Sequence, residues 1–260
     1  MRVIMVPIAD RRECAAALGS AFQLAIRLRA NVVGCHVRPH RYSKKYSSAA
    51  HALLDRIAND YGIKVVKKLN GNSEPSVMWY EKVGSPDKIL RIVGPTSDML
   101  VVSRPASDDA KVARTFLMDA LLQTSRPVMI LPQQALATIG ERVMVAWNQS
   151  SEAMRAVVAA LPVLQKADEV TIAVAGKENG VGPKSTQLAQ YLQYWGIKSS
   201  IRRMGGRKPD KQLLDAYEKT QSDLIVMGAF SRSRFRQRLF GGVTDFMLRR
   251  AEVPVLMLHS

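Results

Sequence analysis

Leu224-Ile-Val-Met-Gly228-Ala-Phe-Ser231 is followed, nine residues later, by Gly241-Gly242-Val243-Thr244. Apolar residues run straight into the first glycine. A helix-like stretch follows the second pair, and then Val253-Pro-Val-Leu-Met-Leu258. The order reads strand, glycine-bearing loop, helix, strand. Backbone N–H groups of such a loop, together with a helix N-terminus, form a site for phosphate.

The same order occurs earlier in the chain. Ser97-Asp-Met-Leu-Val-Val-Ser103 matches Ser222-Asp-Leu-Ile-Val-Met-Gly228, and Arg126-Pro-Val-Met-Ile-Leu131 matches Val253-Pro-Val-Leu-Met-Leu258. Ile4-Met-Val-Pro-Ile-Ala9 matches Val143-Met-Val-Ala-Trp-Asn148, and Val32-Val-Gly-Cys-His-Val37 matches Val170-Thr-Ile-Ala-Val-Ala175. The chain is therefore two copies of one unit. We place them at residues 1–134 and 140–260, joined by a short polar and Ala-rich connector.

The strands are continuous apolar runs, as in strands buried on both faces. Helices are expected over 20–28, 49–57, 186–194 and 209–220, and from Pro86 onward. The second can continue past Gly62 to Lys68. Residues 77–83 and 198–204 read as third strands. With right-handed crossovers, each copy becomes a doubly wound, Rossmann-like α/β domain: a five-stranded parallel sheet flanked by helices. Ligands on such sheets bind at the carboxyl ends of the strands, where the strand order reverses.

The chain has 260 residues, 47% of them hydrophobic, and a net charge of +16. That size supports two cores. The charge favours anionic partners. Basic residues gather at 38–45 and 198–238, the latter including Arg232, Arg234, Arg236 and Arg238. No nucleic-acid recognition signature accompanies them, so we read solvated surface rather than a nucleic-acid site. No segment has the roughly 18 apolar residues that span a bilayer. Met1-Arg-Val-Ile-Met-Val-Pro7 enters a strand directly, and we expect a cytoplasmic protein. Cys14 and Cys35 read as reduced thiols, and the four histidines lack metal-ligand spacing.

These residues resemble the universal stress protein (UspA-like) family, in its tandem two-domain form and with an adenine nucleotide alpha hydrolase-like fold. Members that bind ATP carry G-x2-G-x9-G-[S/T], then Val and Ser or Thr. Here Gly228 and Gly241 fill the first and third positions, and Val243 and Thr244 the last two. Ser231 stands for the second glycine and Gly242 for the first hydroxyl residue. The family's strand-one aspartate, which contacts adenosine, corresponds to Asn148. An amide keeps an acceptor and loses the charge.

The resemblance implies ATP or AMP, with Mg for ATP, at Asn148, Gly228, Ser231, Gly241, Gly242, Val243 and Thr244. In the first copy, Ser103-Arg-Pro-Ala-Ser-Asp-Asp109 has no glycine, and we expect no nucleotide there. Trp147 either stacks on adenine or fills its place; because it ends an apolar strand, we favour core packing. The resemblance also implies a homodimer, with Val255–Leu258 pairing with Val128–Leu131 inside each chain.

No catalytic constellation is visible. There is no G-x-S-x-G elbow and no Walker motif. The leading expectation is a non-enzymatic stress-response protein acting through unknown protein partners. The alternatives are a weak ATPase using the same loop, and an anion or nucleic-acid binder using the basic surface.

Overall fold

The structure is a computed structural model. It describes residues 1–9, 11–38, 44–71, 74–105, 111–205, 208–229, 242–249 and 252–259. Backbone contacts divide the chain into two compact units, Met1–Thr138 and Ile139–Ser260.

The first unit runs β1 (Val3–Pro7), α1 (Arg12–Leu28), β2 (Asn31–Arg38), α2 (Lys44–Asp60), β3 (Lys64–Val66), β4 (Ser76–Val83), α3 (Pro86–Val93), β5 (Met99–Ser103), α4 (Lys111–Gln123) and β6 (Val128–Leu131). Its strands lie in the order β3-β4-β2-β1-β5-β6, all parallel. The second unit runs β7 (Arg142–Trp147), α5 (Ser151–Leu164), β8 (Glu169–Ala175), α6 (Ser185–Tyr194), β9 (Ser200–Met204), α7 (Pro209–Lys219), β10 (Leu224–Gly228), α8 (Val243–Arg249) and β11 (Val255–Leu258). Its order is β11-β10-β7-β8-β9, again parallel.

Central strands are buried throughout. Val143 to Trp147 and Leu224 to Met227 are all in the core. Helices on both faces demand apolar side chains on both faces, hence the unbroken runs. Pro86 and Pro209 open α3 and α7, where a missing N–H costs nothing. Ser150 caps α5, its Oγ accepting from the Ala153 N–H at 3.1 Å.

The first sheet departs from the expected five strands. The continuation of α2 past Gly62 does not form. The helix ends at Asp60, Gly62 takes a left-handed φ of 65°, and Lys64–Val66 adds a sixth strand at the edge beside β4. A left-handed residue breaks the helical hydrogen-bond ladder, and Val65 and Val66 then favour an extended chain.

Each unit fastens the start of its first strand with one aspartate. Asp98 accepts from the N–H groups of Arg2 (2.5 Å) and Val3 (2.9 Å). Burial pushes the Asp98 carboxyl up, but these hydrogen bonds, the N-terminal charge and Arg126 outweigh it and hold it below the usual carboxylate range. Asp223 does more in the second unit. It accepts from Gly140 (3.0 Å), Glu141 (3.0 Å) and Arg142 (3.1 Å), and its own N–H donates to the Arg142 carbonyl at 2.9 Å.

Both cysteines are buried and unpaired with each other. Burial pushes the Cys35 thiol up to about 12, which leaves it unreactive. Among the described residues, no helix is long and apolar enough to cross a membrane.

Candidate functional site

In the second unit β7 and β10 are neighbours, and the chain order reverses between them. Val226 faces Val145, so Gly228 and Trp147, each two residues further on, end side by side. Asn148 follows immediately. The carboxyl ends of these two strands therefore bound the crevice in which doubly wound sheets hold ligands.

Gly228 has no left-handed φ. What it supplies is close approach. A β-carbon there would lie 2.5 Å from the Ala153 nitrogen and 2.6 Å from the Glu152 carbonyl carbon. The end of β10 thus presses on the first turn of α5. Glu152, in that turn, is itself buried at 6% exposure.

Asn148 is exposed, and its Oδ1 accepts from the Ser150 N–H at 3.1 Å. Gly242 has a left-handed φ of 104° just before α8, whose first residues are Val243 and Thr244. Ser231 and Gly241 lie outside the described residues, as do Arg232, Arg234, Arg236 and Arg238. Trp147 is buried at 3% exposure, in agreement with core packing.

Residues that the sequence reading passed over shape the crevice most. The loop between β8 and α6, residues 176–184, folds back over the exit of β7. The Trp147 indole N–H donates to the Pro183 carbonyl at 3.0 Å. Gln149, left-handed at φ 63° and buried, donates from Nε2 to the Gly182 carbonyl (2.8 Å) and the Gly180 carbonyl (3.3 Å). Its Oε1 accepts from the Gly180 N–H at 2.9 Å.

The far end of this loop is fastened by Glu178. It accepts from the Ser185 N–H (2.5 Å) and hydroxyl (3.0 Å) and pairs with Arg203 Nε at 3.4 Å. Burial pushes the Glu178 carboxyl up, yet Ser185 and Arg203 together hold it below its ordinary value. Gly176, Gly180 and Gly182 were the visible signal of an unusual loop. Nothing local in the sequence said where it would land.

A cleft of about 650 Å³ opens beside the first two turns of α5, between Ser151, Met154, Arg155, Val158, Pro183 and Leu258. That volume is in the range of small-molecule sites. Asn148, Gly228, Gly242, Val243 and Thr244 do not line it. Among the described residues, no group of three or more His, Cys, Asp or Glu is placed to hold a metal ion.

The matching place in the first unit differs. Ser103 ends β5 and donates its hydroxyl to the Glu13 carbonyl at 2.6 Å. Arg104 then closes onto the Leu131 carbonyl through its N–H at 2.7 Å. Residues 106–110, with Asp108 and Asp109, lie outside the described part.

Residues 140–259, essentially the whole second unit, match the model of the universal stress protein family. The second unit is a universal stress protein domain. A universal stress protein of Methanocaldococcus jannaschii is 27% identical over 74 residues, which cover 28% of this chain and 43% of that relative. The chain thus spans less than half the length of this curated relative.

A solved universal stress protein from Archaeoglobus fulgidus is similar over 99% of this chain and 98% of its own, with 20% identity and a TM-score of 0.74. A Pseudomonas aeruginosa protein of unknown function covers 100% of this chain and 92% of its own, at 15% identity and a TM-score of 0.62. At such identities these likenesses speak to the fold alone, and they cover both units.

Proposed function

We propose that the chain is a non-catalytic, cytoplasmic stress-response protein that works as a homodimer. In this reading its second unit binds ATP or AMP and changes its protein contacts with the ligand. The observation that carries the reading is the placement of Asn148 and Gly228 at the ends of neighbouring strands where the order reverses. The family match over residues 140–259 supports it.

The residues present suit a phosphate in two respects. Gly228 brings no side chain into the crevice, and Gly242 turns the chain through a left-handed conformation before Thr244. Mg would accompany ATP by binding its phosphate oxygens.

The test is calorimetric titration of the purified chain with Mg-ATP, with Gly241→Asp as control. One site per chain, lost in the variant, is the expected result. No heat and no thermal shift up to millimolar ATP would refute the reading.

Glu152 opposes the ligand. It is a buried acid in the first turn of α5, directly under Gly228. A carboxylate near a bound phosphate costs about 1 kcal/mol at a separation of roughly 10 Å and intermediate dielectric. Glu152→Gln is therefore expected to tighten ATP binding about fivefold in the same titration. Unchanged or weakened binding would show that its charge is not felt at the site.

A further inference from the structure

We infer that the outer edge of β9 takes an extended acidic segment of a partner protein as an added strand of the sheet. The inference stands apart from the nucleotide reading, because β8 separates β9 from β7 and the crevice.

β9 hydrogen-bonds to β8 on one side, and among the described residues no strand pairs with its other side. The Met204 carbonyl accepts from the Gly176 N–H at 2.9 Å. Successive residues of a strand turn their backbone groups to opposite sides. Ser200, Arg202 and Met204 therefore turn theirs to β8, while Ile201 and Arg203 each turn an N–H and a carbonyl outward. Ser200, Arg202 and Arg203 are exposed. Outward N–H and carbonyl groups in this alternation are the template that a further strand completes.

The side chains along the edge select its occupant. Lys198, Arg202 and Arg203 bring three cations to this stretch, and β9 holds no acid. Arg203 pairs with Glu178 at 3.4 Å. Lys198 and Arg202 are exposed and make no ion pair among the described residues. Glu169, at the foot of β8, pairs with Arg142 at 2.7 Å instead. Charges on an unpaired edge repel strands of their own sign. A second copy of this chain is thus turned away, since its β9 bears the same cations, and an acidic strand is admitted. A phosphate backbone would answer the cations and the N–H groups, but a phosphate has no donor for the Ile201 and Arg203 carbonyls. A polypeptide strand serves both.

The chain enters β9 from Tyr194 and Trp195, which are 78% and 46% exposed. Trp195 stands edge-on to Tyr191, with 6.5 Å between ring centroids. Exposed aromatic rings next to one another are typical of protein contact surfaces.

The experiment titrates the full chain, by fluorescence anisotropy, into a labelled peptide of about eight residues that alternates glutamate with valine. Saturable binding is expected, at least about tenfold tighter than that of the peptide alternating lysine with valine. Lys198→Glu together with Arg202→Glu is expected to weaken the acidic peptide about tenfold and to favour the lysine peptide. Ile201→Pro removes one outward N–H and no bond to β8, and is expected to weaken binding about fivefold. On the parent chain, amide exchange at Ile201 and Arg203 is expected to slow about tenfold or more in the complex. That measurement stands even where the proline variant loses its fold. No peptide binding up to about a millimolar overturns the inference. So does bound peptide that leaves exchange at Ile201 and Arg203 unchanged, because the contact is then charge alone. Tighter binding of a single-stranded uridine oligonucleotide than of the acidic peptide also overturns it and assigns the surface to nucleic acid.

Discussion

Asp223→Ala is expected to destabilise the second unit by about 3 kcal/mol and to lower its melting temperature by about 10 °C. One carboxylate there receives the N–H groups of Gly140, Glu141 and Arg142, all at 3.0–3.1 Å. Removing it leaves three donors at the head of a central strand without their acceptor. Hydrogen bonds to a charged acceptor are each worth more than neutral ones, and water regains part of the loss because the site is only half-buried. Thr220, whose carbonyl receives the Arg142 guanidinium at 3.1–3.2 Å, keeps its partner in the variant, which limits the damage to the strand entry. Calorimetric melting of parent and variant checks the value. A shift below about 2 °C would mean that the strand entry holds without the carboxylate.

Gly228→Ala carries the second large effect, and it acts on stability and ligand together. The added carbon would meet the Ala153 nitrogen at 2.5 Å, the Glu152 carbonyl carbon at 2.6 Å and Glu152 Cβ at 2.8 Å. Two of these are backbone atoms that no rotamer change removes. Either β10 or the first turn of α5 must shift, at about 3 kcal/mol for overpacking of this kind. The shift would pull Ser150 and Gln149 away from the crevice, and ATP binding is expected to weaken at least tenfold. Gly205→Ala is the matched control. A carbon there meets nothing within 4 Å, and its stability should change by less than about 0.5 kcal/mol. Equal stability of the two variants in denaturant unfolding would refute the close-approach argument.

These two residues show how unevenly the sequence discloses its roles. Gly228 stands out because it ends an apolar run and begins a family-like spacing. Its requirement is nevertheless different from a turn glycine's: its φ is ordinary, and the constraint comes from a helix that starts 77 positions earlier in the chain, at Ser151. Asp223 was in view only as half of the repeated Ser-Asp pair. Its role needed Gly140 to Arg142 brought against it. Gln149 gave no signal at all, because its partners sit in a loop whose landing place depends on how β8 and α6 pack.

The strand pattern, the repeat and the doubly wound architecture were legible because burial on both faces leaves unbroken apolar runs that a linear reading detects. The family was legible for the same local reason, since Gly228, Gly241, Val243 and Thr244 keep their spacing along the chain. The sixth strand at Lys64–Val66 was not, because three residues carry too little periodicity to compete with the helix before them.

Amino-acid order by itself determined which segments are strands, how they repeat, and where a loop interrupts them. Only the tertiary structure decided that the Trp147 indole N–H and the Gln149 side chain spend their hydrogen bonds on the loop that follows β8. A side chain's partners are set by distances in space across elements far apart in sequence. Whether a polar residue is free to meet a ligand is a property of the packed fold.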